Sequence, residues 1–402
     1  MTQADRPLDE QRGATLQGRY HLDTSARPPL HARLAAQYQA LPALAQYLLQ
    51  LLLFVSLSLV LGSLLVLWIG ENPLEVYTLV LHETFLDVHG FMIAVQRATP
   101  LILTAAAAAL AFRAGAINMG LAGQFSVGVA VAAMAGYGLS GLPKLLHIPI
   151  ILLLCGVGGA AAAFIPAIFK KMSGVNEVIT GMIANLLIPP LINAVVGLSP
   201  ALRAAQAGAA REGIRASAQL SQFVELSGGR IGIGTQANTG IFVAVGITLA
   251  LALWMRYSTM GYEFRVTKIN PKFAEFGGIK ADRVFFLGMM LSGAIAAMAG
   301  AVEILGIWRG YRMGTLNVGN KGLVIALIGQ QGFVGSLLAG FFFGGLEAGA
   351  MKVSWYTSIP RPLINILVEL TIVFVALPSM RAFISGGSTA DIDRLGGRFV
   401  PH

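Results

Sequence analysis

Charge is scarce in this chain. Asp, Glu, Lys and Arg together supply only 12% of its 402 residues, far below the roughly 25% of soluble domains. With 55% hydrophobic residues and a mean hydropathy of +0.71, that shortage excludes a soluble fold and leaves a polytopic membrane protein. Cysteine is scarcer still. Cys155 stands alone inside an apolar run, so no intrachain disulfide can form and a small buried hydrophobe is expected. Signatures of chemistry are missing too. The nearest approach to a phosphate loop, Gly314 to Gly322, has Asn320 splitting the glycine–lysine pair and Gly322 in place of the Mg-binding hydroxyl. Gly232-Ile233-Gly234 precedes no strand–helix unit, and His82-Glu83 lacks the second histidine of a zinc site. The chain is therefore expected to be no enzyme and to hold no cofactor or metal; any ATP must be bound by another chain.

Long apolar runs dominate what is present. Stretches able to cross a bilayer, which takes about 20 residues, fall near 46–70, 92–112, 117–139, 147–169, 177–198, 239–257, 284–306, 334–351 and 362–380. The first lacks a cleavage site and reads as an uncleaved helix. Glycine, at 48 residues, suits helices whose backbones approach closely, and Gly340-FFF-Gly344 with Gly345-LEA-Gly349 has the spacing of a packing motif. The net charge of +9 sits in the tails and inter-span loops, where it orients helices, so no nucleic-acid partner is implied. With the Arg-bearing N-terminus inside, an odd number of crossings would place Arg381, Arg394 and Arg398 outside. A further, half-length or broken helix at 322–330 is therefore expected, opening a hairpin over 322–351 whose polar turn, Gly329-Gln330-Gln331-Gly332, lines a cavity. The expected fold is all-α, with about ten transmembrane helices. Residues 1–45 form a cytoplasmic tail, 46–383 the transmembrane domain with an outer loop at 198–238, and 384–402 a cytoplasmic C-terminal tail.

One loop is too elaborate to be a connector. Between Arg256 and Arg283 lie six basic residues, Arg256, Arg265, Lys268, Lys272, Lys280 and Arg283, against Glu263, Glu275 and Asp282, which places the segment 258–283 in the cytoplasm. Within it Asn270 can cap a short helix starting at Pro271 and stopping at Gly277-Gly278. Something in the cytosol is expected to dock there.

Amides interrupt the apolar helices. Asn118, Gln124, Asn176, Asn185, Asn320, Gln330 and Gln331 are costly in hydrocarbon unless paired or beside water. Each alone can be interhelical glue; together they suggest a neutral polar path for a solute rich in hydroxyls and amides. Among the acids, Glu303 and Glu347 fall near helix ends, while Glu369 stands inside the last run with no charged neighbour in sequence. A proton-coupled carrier would want such a carboxylate; a hydrogen-bonded or interfacial acid is the plainer alternative.

FRAGAINMGLAGQFSVG at 112–128, GVNEVITGMIANLL at 174–187, NPKFAEFGGI from Asn270 and GLVIALIGQQGFVGSLLAGFFFGGLEAG at 322–349 resemble the membrane permease subunits of bacterial ABC importers. The resemblance runs over roughly 45–383 and is closest to the branch for simple sugars and nucleosides, related to branched-chain amino acid permeases; GVNEVI and the long outer loop look most like nucleoside permeases. It implies a chain that forms the translocation path and pairs with an ATP-binding cassette ATPase, a second, shorter permease subunit and an extracytoplasmic substrate-binding lipoprotein, in the bacterial plasma membrane with both termini cytoplasmic. It makes Asn270, Pro271, Lys272, Phe273, Glu275, Phe276 and Gly277 the coupling helix that seats in the ATPase. Asn118, Gln124, Phe125, Asn176, Asn185, Asn320, Lys321 and Gln330 would border the path. Two departures bear on the solute: Ala122 replaces an acid common in the family, and Lys321 replaces a common aspartate. The alternatives are a sugar or branched-chain amino acid permease, a proton-driven carrier using Glu369, and a membrane scaffold.

Overall fold

Asparagine, proline and glycine punctuate this chain, and the helices follow that punctuation. The computed structural model describes residues 43–198, 213–311, 316–357 and 359–384. The N-terminal arginines, Arg203, Arg211, Gly314 and the C-terminal tail lie outside the described residues. In chain order the helices are α1 (Ala43–Ile69), α2 (Pro73–Leu81), α3 (Val88–Arg113), α4 (Leu121–Gly138), α5 (Lys144–Ser173), α6 (Glu177–Leu198), α7 (Phe223–Leu226) and α8 (Gly240–Tyr257), then α9 (Thr259–Ile269), α10 (Pro271–Phe276), α11 (Ala281–Val302), α12 (Leu316–Ile328), α13 (Phe333–Tyr356) and α14 (Arg361–Ile384). π-helical turns at His82–Leu86 and Glu303–Trp308 extend α2 and α11. No strand pairs among the described residues beyond one isolated bridge, Gln222 to Asn238. Leu51–Ala390 is one compact unit; of the other, Met1–Gln50 with Asp391–His402, only the first turns of α1 are described.

The all-α reading holds, but the count of about ten spans does not. Among the described residues seven helices are long and apolar enough to cross a membrane: α3, α4, α5, α6, α8, α11 with its π turn, and α13. An eighth appears only if α1 and α2, bent by 118° across Gly70–Asn72, are taken as one. Gly70 at φ 93° and the Asn72 cap, which accepts from the Leu74 N–H, make that break. An apolar run measures hydrophobicity, not helix length. The piece expected to complete the count, α12, has 13 residues and rises only about 20 Å, and the apolar stretch of α14, Pro362–Leu377, is also short.

Helix α3 is the hub. Its Ala- and Leu-rich sequence is buried on nearly every side, and α11, α12 and α13 pack around it. Close approach needs absent side chains: a Cβ on Gly344 of α13 would overlap the Ala98 backbone of α3, and Gly159 of α5 and Gly293 of α11 each face the other's carbonyl. In contrast α6 buries little and turns Ile179, Met182, Leu186, Leu187, Leu191 and Val195 outward.

Polar contacts mark two ends of the bundle. One gathers Lys170 with Glu177 (2.8 Å), Lys171 with Asp282 (3.1 Å), Arg113, α9 and α10. The other carries a folded cap, residues 213–239. There the Ile214 N–H donates to the Arg309 carbonyl, the Arg215 N–H to Gly136 and the Gln96 amide to Gln236.

Candidate functional site

The bend between α3 and α4 needs a polar core because its backbone leaves the helical ladder. Asn118, buried there, fills that need: its Nδ2 donates to Gln124 Oε1 (2.8 Å) and to Ser292 of α11 (2.9 Å), and its Oδ1 accepts from the Gly120 N–H and from Gln124 Nε2 (3.0 Å). Two amides thus satisfy each other, which removes the desolvation cost each would carry alone. Asn185 of α6 reaches the same bend, accepting from the Gly123 N–H (2.7 Å) and donating to the Met119 carbonyl. The adjoining Phe125 is fully buried in the apolar core. Asn176 stands apart from this group, exposed, with its Oδ1 accepting from Val178 N–H at the start of α6.

Charge gathers farther along. Lys321 on α12 sits 2.8 Å from Glu347 of α13 and 2.8 Å from Glu369 of α14, so one cation ties three helices together. Glu369 is therefore not isolated, as the sequence suggested, and Glu347 lies well inside α13 rather than snorkelling at an end. Three charges within one low-dielectric region persist only when mutually compensated. A second cluster of this kind joins buried Lys352 to Glu83 (3.1 Å) and Asp87 (3.5 Å). Of the failed phosphate-loop motif, Gly319 to Gly322 lie within α12, and Asn320 faces outward.

At the bundle's other pole the basic island folds into two helices. Ser258 caps α9 through the Gly261 N–H (3.0 Å), and Asn270 caps α10 through the Phe273 N–H (3.1 Å), with Pro271 at its first position. Asn270 also ends α9, its N–H bonding the Val266 carbonyl. Gly278, at φ 82°, turns the chain away. Only Ala274 is buried in α10; Phe273 is 66% and Phe276 92% exposed, beside exposed Lys272 and Glu275. Two bare phenyl rings on a capped helix make a knob with no socket among the described residues.

The turn joining α12 to α13 lies against that island rather than apart from it. Gln331 Oε1 accepts from Lys268 Nζ (2.8 Å) and its carbonyl from Arg113 Nε (3.2 Å), while the Arg113 guanidinium rests 5.1 Å from the Phe333 ring centroid. Gln330 and Gln331 both occupy left-handed backbone, at φ 53° and 57°, a conformation costing a non-glycine residue about 1–3 kcal/mol. Neither Ser292 nor the grip of Lys268 on Gln331 could be picked from sequence. Ser292 is one hydroxyl in a small-residue run, and Lys268 reads as one more loop cation.

In the cap at the opposite pole, Glu225 accepts from Arg309 Nη1 at 2.6 Å, and that bond holds its carboxyl below the ordinary range. No group of His, Cys, Asp or Glu able to hold a metal occurs among the described residues.

The family model described as "Branched-chain amino acid transport system / permease component" matches residues 91–376. A guanosine ABC transporter permease protein of Bacillus subtilis is 30% identical over 343 residues, 85% of this chain and 96% of that one. A nucleoside ABC transporter permease protein of Lactococcus lactis is 26% identical, over 81% of this chain and 90% of the other. A glucose ABC transporter permease protein of Haloferax volcanii is 28% identical, over 86% and 93%.

Proposed function

This chain belongs to the family of branched-chain amino acid transport system permease components, and from that premise we propose that the solute it passes is a nucleoside. It is a multi-pass permease subunit of an ABC importer of the sugar, nucleoside and branched-chain amino acid type, and a transport component, not an enzyme. Support for the nucleoside comes from two relatives matched over most of their length, which carry guanosine and nucleosides by name. The glucose relative supports a sugar as the second reading.

In this reading the chain lies in the bacterial plasma membrane with both termini cytoplasmic, beside a second, shorter permease and beneath a binding lipoprotein that meets the 213–239 cap. Asn118, Gln124, Phe125 and Asn185 hold the wall of the path in shape, Lys321 holds α12 in register, and the outward-facing Asn320 and Gln330 are free to meet solute. Asn176 sets the start of α6. Residues 270–277 seat in the ATPase that binds ATP for this chain. The observation that carries the coupling role is the exposed pair Phe273 and Phe276 on a helix capped by its own sequence, since such apolar side chains gain most by burial in a partner's cleft. A proton-driven carrier working through Glu369 is left without support, because Lys321 engages that carboxylate.

The test is uptake by proteoliposomes holding the complete transporter. ATP-dependent entry of guanosine, competed by other nucleosides and not by glucose or leucine, is the expected result. Entry of glucose or leucine alone would sink the nucleoside reading.

A further inference from the structure

The short helix α10 must pass its movement to the helices that border the path, and one contact outside α10 is built for that. Asn270 ends α9 and caps α10 at once. No slack residue separates the two helices, so a push on α10 displaces the last turn of α9, where Lys268 lies. Lys268 holds Oε1 of Gln331 at 2.8 Å, and Arg113, at the end of the central helix α3, holds the same residue's carbonyl. Gln331 is thus gripped by one moving element and one fixed one.

The gripped turn is itself poised. Gln330 and Gln331 sit in left-handed backbone that glutamine rarely adopts, and the Gln331 N–H reaches back to the Ala326 carbonyl (2.7 Å). Gly329 and Gly335 press backbone to backbone beneath it, leaving no room for a Cβ. Strain held in place by surrounding contacts clusters at switch regions, where losing one contact lets the backbone relax. Beyond the turn lie α12 and α13, which carry Asn320, Lys321 and Glu347.

We propose that Lys268 and Gln331 are positioning residues for transport: their bond carries the displacement of α10 into the α12–α13 hairpin. This rests on the coupling role of α10, and its test separates the two. In proteoliposomes with all subunits, Lys268→Met and Gln331→Ala are expected to raise the ATP hydrolysed per solute imported by at least about five-fold, with capture of the ATPase from detergent extracts unchanged. Lys268→Arg, which still donates to the amide oxygen, is expected to restore the ratio. The Lys268→Met/Gln331→Ala pair should be no worse than either single change. Gln331→Gly keeps the left-handed turn at lower strain and loses the side chain, so it reports even where Gln331→Ala misfolds. An unchanged ratio in Lys268→Met and Gln331→Gly, or additive losses in the double variant, overturns the proposal. Phe273→Ala/Phe276→Ala addresses the underlying premise: if that variant keeps both ATPase capture and transport, the coupling role of α10 falls, whatever the ratio at Lys268.

Discussion

Lys321 is the residue whose removal should be felt most. Lys321→Met leaves Glu347 and Glu369 facing each other with no cation between them, a loss below the ~3–5 kcal/mol of a fully buried pair because Glu369 is 47% exposed. A clear fall in the melting temperature of the detergent-purified protein is expected, largely recovered on adding Glu347→Gln and Glu369→Gln; equal stability of Lys321→Met and the parent would refute it. Glu225 offers a pH-dependent counterpart. Its folded value lies below the ordinary 4.5 because Arg309 donates to it, so its contribution to the cap is complete above 4.5 and disappears as pH falls through the lowered value. Amide exchange in 213–239, corrected for intrinsic rate, should speed up in that acid window, and Glu225→Gln should abolish the step. The sequence marked Asn118, Gln124 and Glu369 as out of place in hydrocarbon, and the family resemblance marked Lys321 as a departure, but neither said anything of their partners. Asn118 with Gln124 is a local pair six residues apart, within reach of inspection. Lys321 with Glu369 is made only by the packing of α12 on α14, which composition does not encode.

Helix-level features were legible where a side chain acts on its own backbone. Asn270, Pro271 and Gly278 start and stop α10 by local rules, and the structure shows that helix. The span count failed where an apolar run does not become one straight helix: α1 and α2 are bent by 118° across Gly70–Asn72, and the apolar stretch of α14 covers only Pro362–Leu377. Helix crossings are likewise invisible in one strand of sequence, though glycine content hints at them. The Gly159–Gly293 contact joins α5 to α11 backbone to backbone. Gly293→Leu should force these helices apart, at about 1–3 kcal/mol or more for overpacking, and lower the yield of monodisperse protein in size-exclusion chromatography. Gly246→Leu, at an open position on α8, is the control expected to behave as the parent.

For the molecule as a whole, the two poles are defined by contacts and their sidedness is open to direct measurement. Cys155 is buried, so a cysteine placed at an exposed site is the one that a membrane-impermeant maleimide should reach. With this chain produced without its ATPase, Phe276→Cys should label only from the cytoplasmic side of inverted vesicles and Arg230→Cys only from the outer face of intact cells; the reverse pattern would turn the proposed orientation over. The position of α3 also bears on how the protein is made. This helix leaves the ribosome early, yet its walls are α11, α12 and α13, which are synthesised much later, and its flank carries Gln96 and Arg97. Until α13 arrives, α3 must wait at the insertion machinery or among lipids that suit it poorly. Chains stopped before Phe333 should therefore be cleared by membrane proteases faster than full-length ones in a pulse-chase experiment, making completion of the hub a checkpoint in biogenesis.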